Sequence, residues 1–371
     1  MANPFVYSHP LPPGELIDRE EEASRLVELA EGGHNSRLTA PRRFGKTTLA
    51  RKALVDAENI AMNTIYVNFY GILSLEDASN RIEKAYRESL QGRVRTWAIG
   101  AIRTLKPTLT VPKTGLQIAP EMDQEAARRL YSLLDLPVRL FKRSGKRTMI
   151  VLDEFQEVLE VKQGLDGIIR SRIELHHDEA SYVFAGSHPA MMARLFGDRT
   201  RPFYGQTSAV KLGRLTDEDL AEYLAERFAA TGREVGDVLE PLLAVAAGHP
   251  QRAMLLAHHL WEATPPNASA DEDAWTDALE SLYGEIKDEL VITWGALDDS
   301  EKRVLAAVAA GAPLSSKNTL ERFELPRATA REARLRLVGD GLLEDVENEF
   351  RIVDPLLALW VAQGRQGLYG D

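Results

Sequence analysis

Between about residue 37 and residue 212, short apolar runs alternate with longer stretches of helical periodicity. That alternation predicts a doubly wound α/β layer with a mainly parallel sheet. Candidate strands fall at 36–40, 64–69, 148–152, 182–185 and 209–212. Each is short, β-branched or aromatic, and bounded by polar or turn residues, as buried strands are. Residues 107–118, with Gly115 between two alternating stretches, read as a β-hairpin inserted in this layer.

After Leu212 the pattern becomes purely helical. Thr216 stands three residues before Asp219 as an N-cap, ahead of an apolar stripe through Leu220, Tyr223, Leu224 and Phe228. Further helices fit 238–247, 250–261 and 272–297, with breaks at Gly232, at Gly248 and at the Pro-Pro turn 264–267. From Ser300 three short helical segments precede Gly341-Leu342-Leu343, an acidic turn near Glu347 and a strand-like stretch at 349–353. Helices followed by a two-stranded wing is the order of a winged helix.

Composition adds limits to this picture. A chain of 371 residues exceeds the roughly 250–300 residues that one hydrophobic core serves, so more than one domain is expected. With no cysteine there is no disulfide framework, no thiolate nucleophile and no cysteine-ligated zinc. The first residues show neither a basic region nor a long apolar run, and no stretch reaches membrane-spanning length. The expectation is a cytoplasmic protein without a membrane partner. A net charge of −11 argues against indiscriminate coating of nucleic acid, which requires a basic surface to release counterions.

The chemistry concentrates in two motifs. Residues 40–47 read APRRFGKT, a phosphate-loop pattern with Ala40 at its first, usually glycine, position. In such a loop the backbone N–H groups of Pro41 to Thr48, proline excepted, cradle phosphate oxygens; Arg42, Arg43 and Phe44 form its turn, and Gly45 lets the backbone come close. Lys46 would then meet the β- and γ-phosphates, and the Thr47 hydroxyl would ligate Mg²⁺, with Thr48 continuing into a helix. A basic turn capping a helix is the plainer alternative. The second motif is the apolar run 149–152, which delivers Asp153 and Glu154 at the carboxyl end of a strand, where ligands bind in open α/β sheets. Asp153 suits Mg²⁺ and Glu154 suits polarising an attacking water; an acidic helix start would place the same residues there.

On these residues the chain resembles the archaeal-type ATPases of the signal-transducing (STAND) branch of the AAA+ P-loop proteins. The resemblance spans LIDREEE, APRRFGKTTL, VNFYG, VLDEFQE, AGSHPAMM, RPFYG and GHPQR. It implies a P-loop ATPase core at 1–213 with an N-terminal adenine-side segment, a helical lid at 214–298 and a winged-helix domain at 299–371. It also implies ATP or ADP and Mg²⁺ as ligands. Ile17 and Arg19, with Glu20, would lie beside the adenine, unless they are only a solvated helix start. Ser187 looks like the sensor that bonds the γ-phosphate or the attacking water, or else a turn serine. Gly248-His249-Pro250 is similar to the glycine-x-proline motif whose Pro250 packs on the base, though such a pair is also ordinary helix punctuation. Arg252 would be a second sensor, and Arg199 or Arg201 a finger acting on a neighbouring subunit.

The favoured function is a nucleotide-dependent switch with slow or partner-stimulated ATPase activity, self-associating with nucleotide. The alternative is a DNA-binding adaptor whose nucleotide is mainly structural; small-molecule phosphoryl transfer ranks last. A DNA or protein partner would meet the helix at 327–338, which aligns Arg327, Arg331 and Arg334 opposite Ala330, Ala333 and Leu337. Glu332 and the acidic residues Glu344, Asp345, Glu347 and Glu349 oppose DNA there.

Overall fold

A computed structural model of the chain describes residues 2–103, 124–162, 164–346 and 349–364. The expected hairpin at 107–118 lies outside the described residues, as does Glu347. The chain divides into two compact units. One comprises Pro12–Ala40 and Lys46–Leu212, the other Met1–Leu11, Pro41–Gly45 and Gly213–Asp371.

In the first unit the elements run α1 (Glu20–Glu31), β1 (Ser36–Thr39), α2 (Lys46–Asn59), β2 (Asn63–Asn68), α3 (Leu75–Ser89), α4 (Gly92–Arg103), α5 (Gln124–Leu134), α6 (Leu136–Ser144), β3 (Thr148–Asp153), α7 (Leu165–Ile173), β4 (Ala180–Gly186), α8 (Pro189–Gly197) and β5 (Ser208–Lys211). The strands form one five-stranded, wholly parallel sheet in the order β2-β3-β4-β1-β5. Every residue of β3 and β4 is buried, as central strands covered on both faces must be. The apolar runs therefore mark the strands well. β4 begins two residues before the expected 182, because the small Ala180 and Ser181 are also buried but carry little apolar signal.

Alternation along β2 decides what each sheet face meets. Ile65, Val67 and Phe69 join the core with α3 and α5, whereas Thr64 and Tyr66 point to the face covered by α2. Because β3, β4 and β1 are neighbours, the segments following Asp153, Gly186 and Thr39 all leave the same edge of the sheet. Thr39 is paired in register with Gly186, so the loop after β1 and Ser187 start side by side.

The second unit contains α9 (Asp217–Ala230), α10 (Leu239–Ala246), α11 (Pro250–Ala263), α12 (Glu272–Gly295), α13 (Asp299–Ala309), α14 (Lys317–Arg322), α15 (Arg327–Gly339), the antiparallel hairpin β6 (Leu343–Val346) and β7 (Glu349–Ile352), and α16 (Pro355–Ala362). Their starts are written in the sequence. Thr216 caps α9 through Asp219 N–H, and Asp298 and Glu301 form a reciprocal capping box on α13. α11 packs on α12 and α10, and α13 on α15 and α16. Residues 2–11 belong here as well: Phe5 lies 5.1 Å from the Phe228 ring and Tyr7 donates to Glu285 at 2.8 Å. Among the described residues, no helix is long and apolar enough to cross a membrane.

Candidate functional site

The loop after β1 is shaped by two residues in the left-handed region, Arg43 at φ 67° and Gly45 at φ 83°. Such an alternation turns successive N–H groups toward one side, forming an anion-binding concavity at a helix start. An added Cβ at Gly45 would meet no atom within 4 Å, so the glycine is required by its backbone angle rather than by crowding. Lys46 opens α2 and is only 5% exposed. Its Nζ donates to the Ala40 carbonyl at 2.9 Å.

The next residue joins the loop to β3. Thr47 Oγ1 donates to Asp153 Oδ2 at 2.9 Å, although 106 residues separate them. Asp153 is 1% exposed and also accepts the Glu154 N–H on Oδ1 at 2.9 Å. Chain direction then changes abruptly. Glu154 takes a left-handed conformation, φ 52°, and a 3-10 turn follows at Phe155–Leu159 instead of a regular helix. A non-glycine residue in that region is costly and is held by its surroundings.

Two side chains hold it. Ser187 Oγ donates to Glu154 Oε2 at 2.6 Å, and Gln156 Nε2 donates to the same oxygen at 2.5 Å. Gln156 is 1% exposed and its Oε1 lies against Gly186, where an added Cβ would approach it to 2.7 Å and Met192 Sδ to 2.3 Å. Reversing the amide would set its oxygen, rather than its N–H, against the Glu154 carboxylate. Neither Gln156 nor Tyr66, whose OH donates to Asp153 Oδ2 at 2.6 Å, was selected by motif reasoning. Gln156, inside VLDEFQE, was legible only as a polar residue next to the acidic pair.

The other expected site residues have definite places. Ile17 and Arg19 are each 7% exposed; Arg19 precedes α1 at φ 85° and pairs with Glu22 at 2.9 Å. α1 and the 3-10 turn at Pro13–Glu15 pack on α2. Arg201 pairs with Asp166 on α7 at 3.3 Å, while Arg199 is exposed with no ion pair among the described residues. In the helical unit, Phe44 of the loop tip is buried with its ring 4.8 Å from His249, and Arg43 pairs with Glu289 at 2.6 Å. Pro250 is the first residue of α11, capped by His249, which accepts the Arg252 N–H. Arg252 is 1% exposed, chelated through Nε by both Asp354 oxygens at 3.0 and 3.1 Å and bonded through Nη2 to Glu289 at 3.2 Å. Burial opposes its charge, but Asp354 and Glu289 override this and raise its pKa. Asp354 is correspondingly held below its ordinary value by Arg252, against the effect of burial. On α15, Arg327 and Arg331 are exposed, whereas Arg334 stacks over Phe350 of the hairpin at 4.6 Å.

A parallel sheet ordered β2-β3-β4-β1-β5, with a phosphate-type loop after β1 and an acidic pair after the neighbouring β3, defines the AAA+ P-loop fold. Solved structures share it over nearly their whole length. The Walker-type ATPase of Pyrococcus abyssi aligns over 96% of this chain and 99% of its own, with 16% identity and a TM-score of 0.68. The Aeropyrum pernix ORC2 protein, solved in ADPNP–ADP complexes, aligns over 98% and 99% with 16% identity and a TM-score of 0.60. The Aeropyrum pernix ORC1 protein, in complex with DNA, aligns over 98% and 95% with 16% identity and a TM-score of 0.50. No protein-family model and no curated protein matches the chain. The likeness at this identity is one of fold.

Proposed function

We propose that the chain binds ATP with Mg²⁺ and hydrolyses it slowly, as a switch whose nucleotide state is read by the domains that follow the core. The observation that supports this most is the pair of contacts at adjoining strand ends: Thr47 on Asp153, and Ser187 on Glu154. One pair supplies oxygen donors for a hard cation, the other a carboxylate held in place to act on water.

The donor set fits Mg²⁺. No cluster of three or more His, Cys, Asp or Glu side chains among the described residues would hold a metal alone. A hydroxyl and a carboxylate 2.9 Å apart suit an ion that arrives with phosphate oxygens and keeps several waters. When bound, it would neutralise charge on the β- and γ-phosphates. Lys46 exchanges its Ala40 carbonyl for phosphate oxygens, so that its ammonium meets an opposite charge instead of a neutral dipole. Glu154 orients the attacking water and takes up its proton, and the Ser187 hydroxyl turns from Glu154 toward the γ-phosphate.

Beyond this centre, Ile17, Arg19 and Pro250 are assigned to the base, and Arg252 would meet the phosphates only by leaving Asp354 and Glu289. Between the two finger candidates Arg199 is favoured, because Arg201 is already paired with Asp166. The proposed division is a core at 1–213, a lid at 214–298 and a winged-helix domain at 299–371. With Arg334 covering Phe350, a docking face on α15 reduces to Arg327 and Arg331, which suits a protein partner better than a phosphate backbone. Sizing the protein with ADP and with a non-hydrolysable ATP analogue, with and without duplex DNA, tests the switch. Nucleotide-dependent size without a DNA effect is expected. A size insensitive to nucleotide, with tight DNA binding in its absence, would favour the adaptor.

A further inference from the structure

The Asp153 carboxylate has about four acceptor positions, two on each oxygen. On Oδ2 both are used by hydroxyl groups, Thr47 at 2.9 Å from α2 and Tyr66 at 2.6 Å from β2. On Oδ1 the Glu154 N–H takes one at 2.9 Å. A single acceptor position on Oδ1 therefore faces no protein donor among the described residues.

Tyr66 is unusually well placed to impose this arrangement. It stands on the edge strand, next to β3, on the face covered by α2. The Arg51 guanidinium of α2 lies 5.3 Å over its ring, and Ser89 on α3 accepts its backbone N–H at 3.3 Å. Ring and backbone are thus fixed from two helices, and the hydroxyl is aimed at one oxygen.

Resting on the Mg-ATP reading, we propose that Tyr66 is a positioning residue for the metal: by filling the last acceptor site of Oδ2, it turns the remaining Oδ1 position toward a metal-bound water. Thr47 would offer its oxygen to the ion while donating its proton to Asp153, and the Tyr66 hydroxyl, with Thr47 and the Glu154 N–H, holds the carboxylate against rotation about its Cβ–Cγ bond. Sequence inspection hides this role, because a tyrosine in a strand is what β-propensity alone leads one to expect.

The test is the Mg²⁺ dependence of equilibrium binding of a fluorescent, non-hydrolysable ATP analogue to the full chain. Tyr66→Phe keeps the ring and removes only the hydroxyl. Affinity in EDTA is expected to match the parent, while the Mg²⁺ concentration giving half of the metal-dependent tightening rises about 10-fold, as loss of an outer-shell partner does. Arg51→Ala, which removes the stacked guanidinium and leaves the hydroxyl, controls for packing and should shift the Mg²⁺ curve clearly less than Tyr66→Phe does. An unshifted curve for Tyr66→Phe overturns the proposal, as does an equal shift for both variants. If the parent binds no analogue with or without metal, the nucleotide reading itself fails. That result is distinct from analogue binding whose Mg²⁺ dependence ignores Tyr66.

Discussion

Ser187 and Glu154, 33 residues apart, share a hydrogen bond of 2.6 Å between a hydroxyl and a carboxylate oxygen. They meet because β3 and β4 are adjacent parallel strands whose last residues end at one edge. The contact joins a group suited to sensing phosphate to one suited to activating water, so a change at either is felt by both.

Glu154→Gln is expected to keep ATP affinity and to lower single-turnover hydrolysis by about 10²–10⁴-fold, the usual contribution of a positioned base. The amide retains the shape and can still accept from Ser187. Turnover at the parent rate, measured by phosphate release, would remove Glu154 from the chemistry.

Arg252→Ala leaves Asp354 without the cation that chelates it, and should destabilise the protein by about 3 kcal/mol in urea unfolding. The Arg252→Ala, Asp354→Ala double variant should lose less than the sum of the single variants, since it strands no charge. Additive losses would mean that the pair is not coupled. A loss of ATP affinity in Arg252→Ala alone is thus no proof of phosphate contact, and the double variant is the proper comparison.

Acid should weaken the helical unit through His249. Burial lowers its pKa from 6.5 to about 3, with Arg252 and Arg214 adding to the effect and Asp354 opposing it. The unfolded chain therefore takes up a proton near pH 6.5 that the folded chain refuses, and stability falls as pH drops from there toward 3, by up to about 1.4 kcal/mol per pH unit. Asp354, held low in the fold, adds a loss of the same sign once pH enters the carboxylate range. His249→Asn keeps a cap acceptor without titrating, so its stability should vary less between pH 6.5 and 5 in urea unfolding. Identical pH profiles would show that the His249 ring does not govern this range.

Much of the core was legible because its signals are local. β3 is an unbroken apolar run ending in Asp153, and the loop's glycine, lysine and threonine must occur at fixed spacing for phosphate to be cradled. What escaped sequence reasoning depends on distant partners. Nothing near Arg252 indicates that its carboxylate lies 102 residues onward, and nothing near Tyr66 indicates Asp153, 87 residues away. The alignment of Arg327, Arg331 and Arg334 was readable from helical period, but the stacking of Arg334 on Phe350 requires the hairpin to fold back beside α15. The segment 41–45 packs with the helical unit through Phe44 and Arg43, contacts that a phosphate-loop pattern does not encode.

The central claim is that the loop containing Lys46 binds the phosphates of ATP. It is tested most directly by titration calorimetry of ATP with Mg²⁺ into the parent and into Lys46→Ala. The account predicts saturable one-site binding by the parent and at least about a 100-fold loss in the variant, since a charge-assisted contact to phosphate is worth about 3 kcal/mol. Equal affinity in the two proteins, or no binding by the parent, would contradict it.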